Sequence, residues 1–218
     1  MSEDKTILLV DGNALIHRAF HAYPALTHAG KPINCVYGFA RMLIRGLDQI
    51  KPHYAVVAFD LDKKTFRHAA FADYKAQRVA APQSLYDQIP SVHALVKAFG
   101  FPAVGVEGYE ADDVIATLTR QARAQKLNVA IMTGDKDTFQ LVSARVSVFA
   151  PASRAQRGLQ KITPVEVFKR LGVEPAQVAA LKALAGDPSD NIPGVPGIGA
   201  KTAVSLLKKF ASLEELLA

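Results

Sequence analysis

Half of the 218 residues are hydrophobic, so the chain is not disordered and can bury the core of one large domain, or of one domain with a small appendage. The formal net charge is +6, from 26 basic and 20 acidic side chains, and this favours an anionic partner such as nucleic acid. The first five residues do not resemble a signal peptide, no apolar run could span a membrane, and the single cysteine excludes an internal disulfide, so we expect a cytoplasmic protein.

Apolar runs that end at or just before acidic residues recur four times along the chain and predict buried strands. The runs and the acids that follow them are Thr6 to Val10 with Asp11, Tyr54 to Phe59 with Asp60, Phe101 to Val106 with Glu110, Asp112 and Asp113, and Asn128 to Met132 with Asp135 and Asp137. Helical patterns cover Tyr37 to Gln49, Leu85 to Phe99 and Asp112 to Lys126. This alternation predicts an α/β fold with a mostly parallel sheet between helices.

The acids at the strand ends each have a purely structural explanation when taken alone. Asp11 could form a turn, Asp60 could cap a helix, the acids from Glu110 onward suit a first helical turn, and those from Asp135 suit a capping loop. Ligands, however, gather at the carboxyl ends of parallel strands, where all these acids would converge. Two carboxylates ~4 Å apart repel by ~4 kcal/mol at an effective dielectric constant of ~20, so a converging set requires cations.

The residue types in this set predict hard divalent ions. Neither histidine nor cysteine accompanies the acids, which favours Mg²⁺ or Mn²⁺ over zinc. A pair of such ions is suited to phosphodiester hydrolysis. With the later Asp187 and Asp190, nine of the 20 acids are candidates for this cluster, which leaves 11 acids against 26 basic residues elsewhere. An acidic pocket on a cationic surface is typical of a nuclease.

The stretch from Lys63 to Gln83 interleaves basic and aromatic side chains. They are Lys63, Lys64, Arg67, His68, Lys75 and Arg78, with Phe66, Phe71 and Tyr74. Such a pattern suits a surface that tracks a nucleic-acid backbone and stacks bases, or an ordinary amphipathic helix with Phe66 and Phe71 in the core. Its irregular, alanine-rich spacing predicts short helices in a mobile lid.

The C-terminal stretch from Leu181 to Phe210 predicts two helices joined by a tight hairpin. One helix ends at Gly186, a turn follows, and the segment from Gly194 to Gly199 leads into a last helix that opens at Ala200. Glycines there would let backbone N–H groups approach a phosphate, with Lys201 adding charge; the alternative is a simple glycine-rich connector. The pattern resembles a helix-hairpin-helix. The polar stretch before this region, with Arg154 and Arg157, reads as a linker.

Together these motifs resemble the N-terminal 5′-nuclease domain of bacterial DNA polymerase I, which belongs to the flap endonuclease family. The matching segments are Val10 to Asn13, Phe59 with Asp60, Gly108 to Asp113, Thr133 to Asp137, and Gly186 to Gly194, and the match runs from about Ile7 to Leu217. The resemblance implies a PIN-like α/β core over residues 1–160, a helical arch at about 63–83, and a helical helix-hairpin-helix module over 161–218. It also implies a structure-selective 5′-nuclease, acting as 5′-3′ exonuclease and 5′-flap endonuclease in DNA replication and repair.

The same resemblance implies two Mg²⁺ ions, for which Mn²⁺ can substitute, and assigns residues to them. The first ion would take Asp11, Asp60, Glu110 and Asp112; the second would take Asp135, Asp137, Asp187 and Asp190; and Asp113 would act through the first or on the second. The catalytic residues would be Lys75, Tyr74 as a stacking residue, and Arg18 near the scissile phosphate. The DNA contacts would come from Arg78, Gly194, Gly197, Ile198, Gly199, Lys201 and Thr202, with K⁺ at the hairpin.

The expected partners are DNA with a 5′ flap, nick or free 5′ end, RNA primer strands in addition, and no second copy of the chain. The family normally continues with more helices, whereas this sequence ends at Ala218, so it is either part of a longer chain or a compact free-standing nuclease. After Arg78 the family more often has proline, which concerns the stiffness of the arch. The rival functions are a PIN-type ribonuclease and a catalytically silent DNA-docking module.

Overall fold

The computed structural model describes residues 5–61, 64–151, 158–210 and 212–218. Within these ranges the strands are β1 Thr6–Asp11, β2 Thr27–His28, β3 Lys31–Pro32, β4 Tyr54–Ala58, β5 Ala103–Val104, β6 Asn128–Met132, β7 Val146–Pro151 and β8 Leu159–Ile162. The α-helices are α1 Gly12–Ala22, α2 Asn34–Ile50, α3 Phe66–Ala70, α4 Gln83–Tyr86, α5 Ile89–Ala98, α6 Ala111–Ala124, α7 Pro164–Leu171, α8 Val178–Ala185, α9 Ala200–Lys209 and α10 Leu213–Leu217. Two short 3₁₀ helices cover Asp137–Leu141 and Pro175–Gln177.

The central sheet of the described chain has six strands in the order β5-β4-β1-β6-β7-β8. The first five are parallel to their neighbours, and β8 pairs antiparallel with β7. The predicted α/β fold with a mostly parallel sheet is therefore confirmed. Because the four strands followed by acids lie side by side, their carboxyl ends form one continuous edge.

Both faces of the sheet are buried, which is why its strands are apolar at successive positions. Leu8 and Val10 face a core that includes Phe39 of α2, while Leu9 and Ile131 face the opposite core. Helices α1, α2 and α5 cover the first face, and α6 to α9 contribute to the second. No helix in these ranges combines the length and apolarity needed to cross a membrane.

Each predicted element is present, with two differences in extent, whereas α1, α10, β7 and β8 were not predicted. The pattern over Leu85 to Phe99 is not one helix, since α5 starts anew with Pro90 in its first turn, and proline is disfavoured in a helix interior. The run from Phe101 pairs with β4 only at Ala103 and Val104, so this edge strand is shorter than predicted. Cys35, the single cysteine, is a buried core residue.

The segment predicted as a lid contains the five-residue helix α3 and a series of hydrogen-bonded turns up to α4. Phe66 and Phe71 are partly exposed rather than core anchors, and Tyr74 is the buried aromatic residue of this segment. Its mobility stays a prediction, and Lys63, at its start, lies outside the described residues. The linker arginines 154 and 157 also lie outside them, and the predicted domain boundary after residue 160 falls within β8.

Gly194 holds the C-terminal hairpin against the end of α8. A Cβ there would lie 2.4 Å from the carbonyl carbon of Ala185 and from the amide nitrogen of Gly186. Gly186 itself has φ +81°, which favours glycine, and the next amide, of Val195, donates to the carbonyl of Leu184 at 2.8 Å. Gly194 is thus required for backbone packing in the free protein, independently of any phosphate.

We expect Gly194→Ala to destabilise the protein by about 1–3 kcal/mol, because rigid backbone atoms must move to admit the methyl group. Urea unfolding at constant pH measures the change. Gly134→Ala is the matched control, since a Cβ at Gly134 has no atom within 4 Å. Equal stability of Gly194→Ala and the wild type would contradict the packing role.

Candidate metal centre

Five acids converge around one cavity at the carboxyl edge of the sheet and are called here the first acidic group. They are Asp11, Asp60, Glu110, Asp112 and Asp135. The cavity has a volume of about 400 Å³, and Lys75 and Arg78 also line it. The convergence predicted from four separate strand ends is therefore observed, because the sheet places β5, β4, β1 and β6 side by side.

These acids also have structural roles alongside their convergence, although Asp11 caps a helix and does not form the expected turn. Asp11 caps α1 by accepting from the amide of Ala14 at 2.9 Å, and Asp60 accepts from the first amide of α6 at 2.6 Å. Asp135 accepts from the amide of Asp137 at 2.9 Å, at the start of a 3₁₀ helix. These bonds fix the direction of each carboxylate, so capping is the means by which the fold orients the cluster.

Burial raises the pKa of three of these carboxylates in the free protein, those of Asp11, Asp60 and Asp112. The pKa of Asp11 is raised to about 6, mainly by burial and in part by the charges of Asp60 and Asp135. The pKa of Asp112 is raised to about 8, again mainly by burial, with repulsion from Asp11, Asp135 and Asp137 adding to it. An acid so placed gains from a nearby cation.

Three further acids, Asp137, Asp187 and Asp190, form the second acidic group. One carboxylate oxygen from each lies within 4.8 Å of the others, and Asp187 and Asp190 are buried. The ammonium of Lys182 lies between two of them, 2.6 Å from Oδ2 of Asp187 and hydrogen-bonded to Oδ1 of Asp137. Burial alone would raise the pKa of Asp187, but the hydrogen bonds from Lys182 and Ser189 outweigh it and leave that pKa below its usual range.

The lid lies directly on both acidic groups. Lys75 donates to the two carboxylate oxygens of Glu110 at 2.9 and 2.8 Å, and Arg78 donates to Asp190 at 2.8 Å. The hydroxyl of Tyr74 is 3.1 Å from Glu110 and 3.0 Å from Asp190. Tyr74 is thus buried between the groups, so stacking on a base would require it to leave this position.

Asp113 is directed away from the first acidic group. Both of its oxygens accept from Arg67 at 2.7 Å, and it also accepts from the amide of Glu110 at 3.1 Å. Its carboxylate lines a separate, largely apolar pocket, and the Arg67 guanidinium lowers its pKa. A role as metal ligand, predicted for Asp113, would require it to give up Arg67.

The remaining predicted residues lie at two places. Arg18 is on α1 and lines a larger cavity, of about 760 Å³, beside Arg78, Asp135 and Lys182. The hairpin residues lie at the start of α9, where Lys201 and Thr202 are exposed in its first turn. The full set of predicted hairpin residues is Gly194, Gly197, Ile198, Gly199, Lys201 and Thr202. The roles predicted for them stay predictions.

Several residues that organise the site were not singled out from the sequence. Thr133 donates to Asp11 at 2.7 Å, and the side chain of Asn13 accepts from the backbone of Asp60 at 3.0 Å. Lys182 is the third. Its position five residues before Asp187, in the last turn of α8, was a usable signal. Lysine in a last turn, however, is also explained by the helix dipole.

The donor set fits divalent metal ions. The predicted ligands are carboxylates, the type that Mg²⁺ and Mn²⁺ prefer. Contrary to the expectation that no histidine accompanies the acids, His17 also lines the first cavity, and burial lowers its pKa. Within the described ranges, neither Asp11 nor Asp112 has an ion pair with a basic side chain. Their raised pKa values come mainly from burial and in part from neighbouring carboxylates, and a cation nearby would favour their ionised forms.

Comparisons with known proteins point to one family. The model for "5′-3′ exonuclease, N-terminal resolvase-like domain" matches residues 6–172, and that for "5′-3′ exonuclease, C-terminal SAM fold" matches residues 173–218. DNA polymerase I of Bacillus subtilis strain 168 is 44% identical over 218 residues, which are 100% of this chain and 25% of the relative. A 5′-3′ exonuclease of Aquifex aeolicus strain VF5 is 42% identical over 214 residues, covering 98% of this chain and 72% of the relative. The chain thus spans a quarter of the length of this polymerase relative.

Solved structures share the fold. The bacteriophage T5 D15 protein, co-crystallised with metal ions, has a TM-score of 0.81 at 23% identity, covering 98% of this chain and 78% of that one. The catalytic core of Rad2 in complex with a DNA substrate has a TM-score of 0.59 at 19% identity, covering 98% of this chain and 64% of that one. At these identities the likeness concerns the arrangement of elements.

We expect the metal-free protein to lose stability as the pH rises from about 4 to about 8, by up to about 1.4 kcal/mol per pH unit for each carboxylate concerned. The pKa values of Asp11 and Asp112 are raised from 3.8 to about 6 and about 8, so the folded state keeps protons that the unfolded chain has already released. Asp112→Asn removes its share of this loss. In chelator at pH 8 the variant should therefore be more stable than the wild type, by more than about 1 kcal/mol.

Urea unfolding in chelator at several pH values between 4 and 8 measures this difference. Asp48→Asn, on the exposed side of α2, is the control and should follow the wild type at every pH. An Asp112→Asn curve parallel to that of the wild type would contradict the argument.

Proposed function

Because the chain belongs to the 5′-3′ exonuclease family, we propose that it is a divalent-metal-dependent, structure-selective 5′-nuclease that hydrolyses DNA phosphodiesters as a 5′-3′ exonuclease and a 5′-flap endonuclease. The observation that carries the proposal is the first acidic group, in which five carboxylates from four adjacent strand ends surround one cavity beneath two basic side chains of the lid. Replication and repair of DNA are the processes that use this activity.

Two Mg²⁺ ions, replaceable by Mn²⁺, are part of the proposal. Asp11, Asp60, Glu110 and Asp112 would hold the first; Asp137, Asp187 and Asp190 would hold the second. Asp135 lines the cavities on both sides and would lie between them. When bound, the ions would supply an activated water and stabilise the leaving oxygen.

The lid would bind the phosphate. Lys75 and Arg78 are paired with acids in the free protein, and their charges would become available to the scissile phosphate once ions neutralise those acids. Arg18, across the larger cavity from α8, would contact the same phosphate or its neighbour. Tyr74 would stack on a nucleotide only after leaving the acids.

The hairpin and the start of α9 would bind the backbone of duplex DNA. Lys201 and Thr202 are exposed in the first turn of α9, where unpaired amides favour phosphate. The proposal also includes a K⁺ ion at the hairpin, a monomeric state, RNA primer strands as substrates, and a cytoplasmic location. It further includes a division into an α/β core and a helical module from about residue 161.

The proposal predicts cleavage of an end-labelled 5′-flap duplex near its junction with Mg²⁺ and none with chelator. Asp135→Asn should lower the rate by about 100-fold or more, because the loss of one carboxylate weakens both ion sites. Asp48→Asn, remote from the edge of the sheet, should cleave at the wild-type rate. Binding without cleavage would instead support a silent docking module, and cleavage of a single-stranded RNA control alone would support a PIN-type ribonuclease.

Lys201→Met should weaken duplex binding several-fold and reduce the slope of log affinity against log salt by about one, as expected for one lost phosphate contact. The matched control is Lys208→Met, which removes an exposed lysine from the other end of the same helix. Fluorescence anisotropy over a range of salt concentrations measures both variants. Equal effects of the two substitutions would indicate a general charge effect and not a contact at the hairpin.

A further inference from the structure

The second acidic group already contains a cation in the free protein. Lys182 places its ammonium between Asp137 and Asp187, two of the three acids whose oxygens lie within 4.8 Å of one another. An ion that binds those oxygens needs the space in which the ammonium lies. The two cations therefore exclude each other.

We propose that Lys182 is an internal counter-ion which occupies the position of the second divalent ion and must leave before that ion binds. The proposal rests on the two-ion function proposed above. It makes Lys182 a positioning residue that sets the affinity of the second ion and, through it, the order in which the ions bind.

The first acidic group provides the contrast. Asp11 accepts from the amide of Ala14 and the hydroxyl of Thr133, and Asp60 accepts from the amide of Ala111, all of them neutral donors. In the part of the chain that the structure describes, only Glu110 of this group forms an ion pair, with Lys75. An ion can therefore enter among Asp11, Asp60 and Asp112 without displacing a bound ammonium, and only its contact with Glu110 requires Lys75 to move. The first ion therefore binds before the second.

The surroundings of Lys182 allow it to leave. Its side chain is 31% exposed, so the route outward is not sealed by core residues. It also lines the cavity of about 760 Å³ that contains Arg18 and Ser189, which offers space for the displaced side chain. Losing the contacts of Lys182 with Asp137 and Asp187 is offset, because a divalent ion carries twice the charge of an ammonium. The ion also approaches carboxylate oxygens to about 2.1 Å, closer than an ammonium can.

The test is a titration of the full chain with Mn²⁺, in which free Mn²⁺ is followed by its electron paramagnetic resonance signal. The wild type should bind one ion tightly and a second ion weakly. In Lys182→Met, which keeps the length of the side chain and removes its charge, the second dissociation constant should fall by at least about tenfold, since two charge-assisted hydrogen bonds no longer have to be broken. The first should change by less than about twofold.

Two controls separate competition from a general effect of charge. Lys136→Met removes an exposed lysine that lines the same cavity and should leave both binding steps unchanged. Lys182→Arg keeps the charge and should keep the weak second step. A second readout is thermal unfolding: the melting temperature of Lys182→Met should be lower than that of the wild type in chelator, and Mn²⁺ should raise it by more. Lys182→Gln serves in both experiments if the methionine variant does not fold in chelator.

An unchanged or weakened second step in Lys182→Met would overturn the proposal, because Lys182 would then be irrelevant to the ion or would help to arrange its ligands. This failure differs from a failure of the proposed function. If neither the wild type nor the variant binds a second ion, the two-ion assignment itself is wrong, whereas a two-ion protein that cleaves flaps but ignores the Lys182 substitution contradicts only the inference made here.

Discussion

Repulsion among carboxylates at one edge of a sheet is the constraint on which the rest of this molecule depends. A parallel sheet places the ends of β5, β4, β1 and β6 side by side, and each end delivers acids to the same space. The fold reduces the resulting negative charge in two ways. In the first acidic group, burial and mutual repulsion raise the pKa values of Asp11 and Asp112, while in the second, Lys182 and Arg78 neutralise the acids by direct contact. The two halves of one centre therefore differ in their readiness for a cation.

The sequence predicted the elements that are dictated by local pattern. Continuous apolar runs such as Asn128 to Met132 can be buried only if both faces of the sheet are covered, and this predicted a parallel α/β core. The position of the acids then followed from topology, since the ends of adjacent parallel strands meet. Shorter elements were missed or misjudged where the deciding contact is distant in sequence. The edge strand β5 is short because it pairs with β4 only at Ala103 and Val104. Tyr74 is buried because its hydroxyl contacts Glu110 and Asp190, which lie more than thirty residues away in the sequence.

Side-chain direction was the part of the site that the sequence could not supply. Asp112 and Asp113 are neighbours in the first turn of α6, yet one faces the acids and the other pairs with Arg67. Successive residues of a helix point about 100° apart, so a run of acids cannot all serve one site. Asp113 pairs with Arg67 of the lid, a contact 46 residues apart in sequence that the motif itself does not reveal. The sequence did not point to Lys182 either, because a lysine in the last turn of a helix is already explained by the helix dipole.

The Tyr74 hydroxyl, which contacts Glu110 and Asp190, has a further consequence for how the two halves of the centre communicate. A phenol carries one proton and can donate one full hydrogen bond, so the two carboxylates compete for it. When one of these carboxylates turns to another partner, the Tyr74 hydroxyl donates its hydrogen bond to the remaining carboxylate alone, and that bond becomes stronger. The orientation of one O–H bond therefore links the first acidic group to the second through Tyr74.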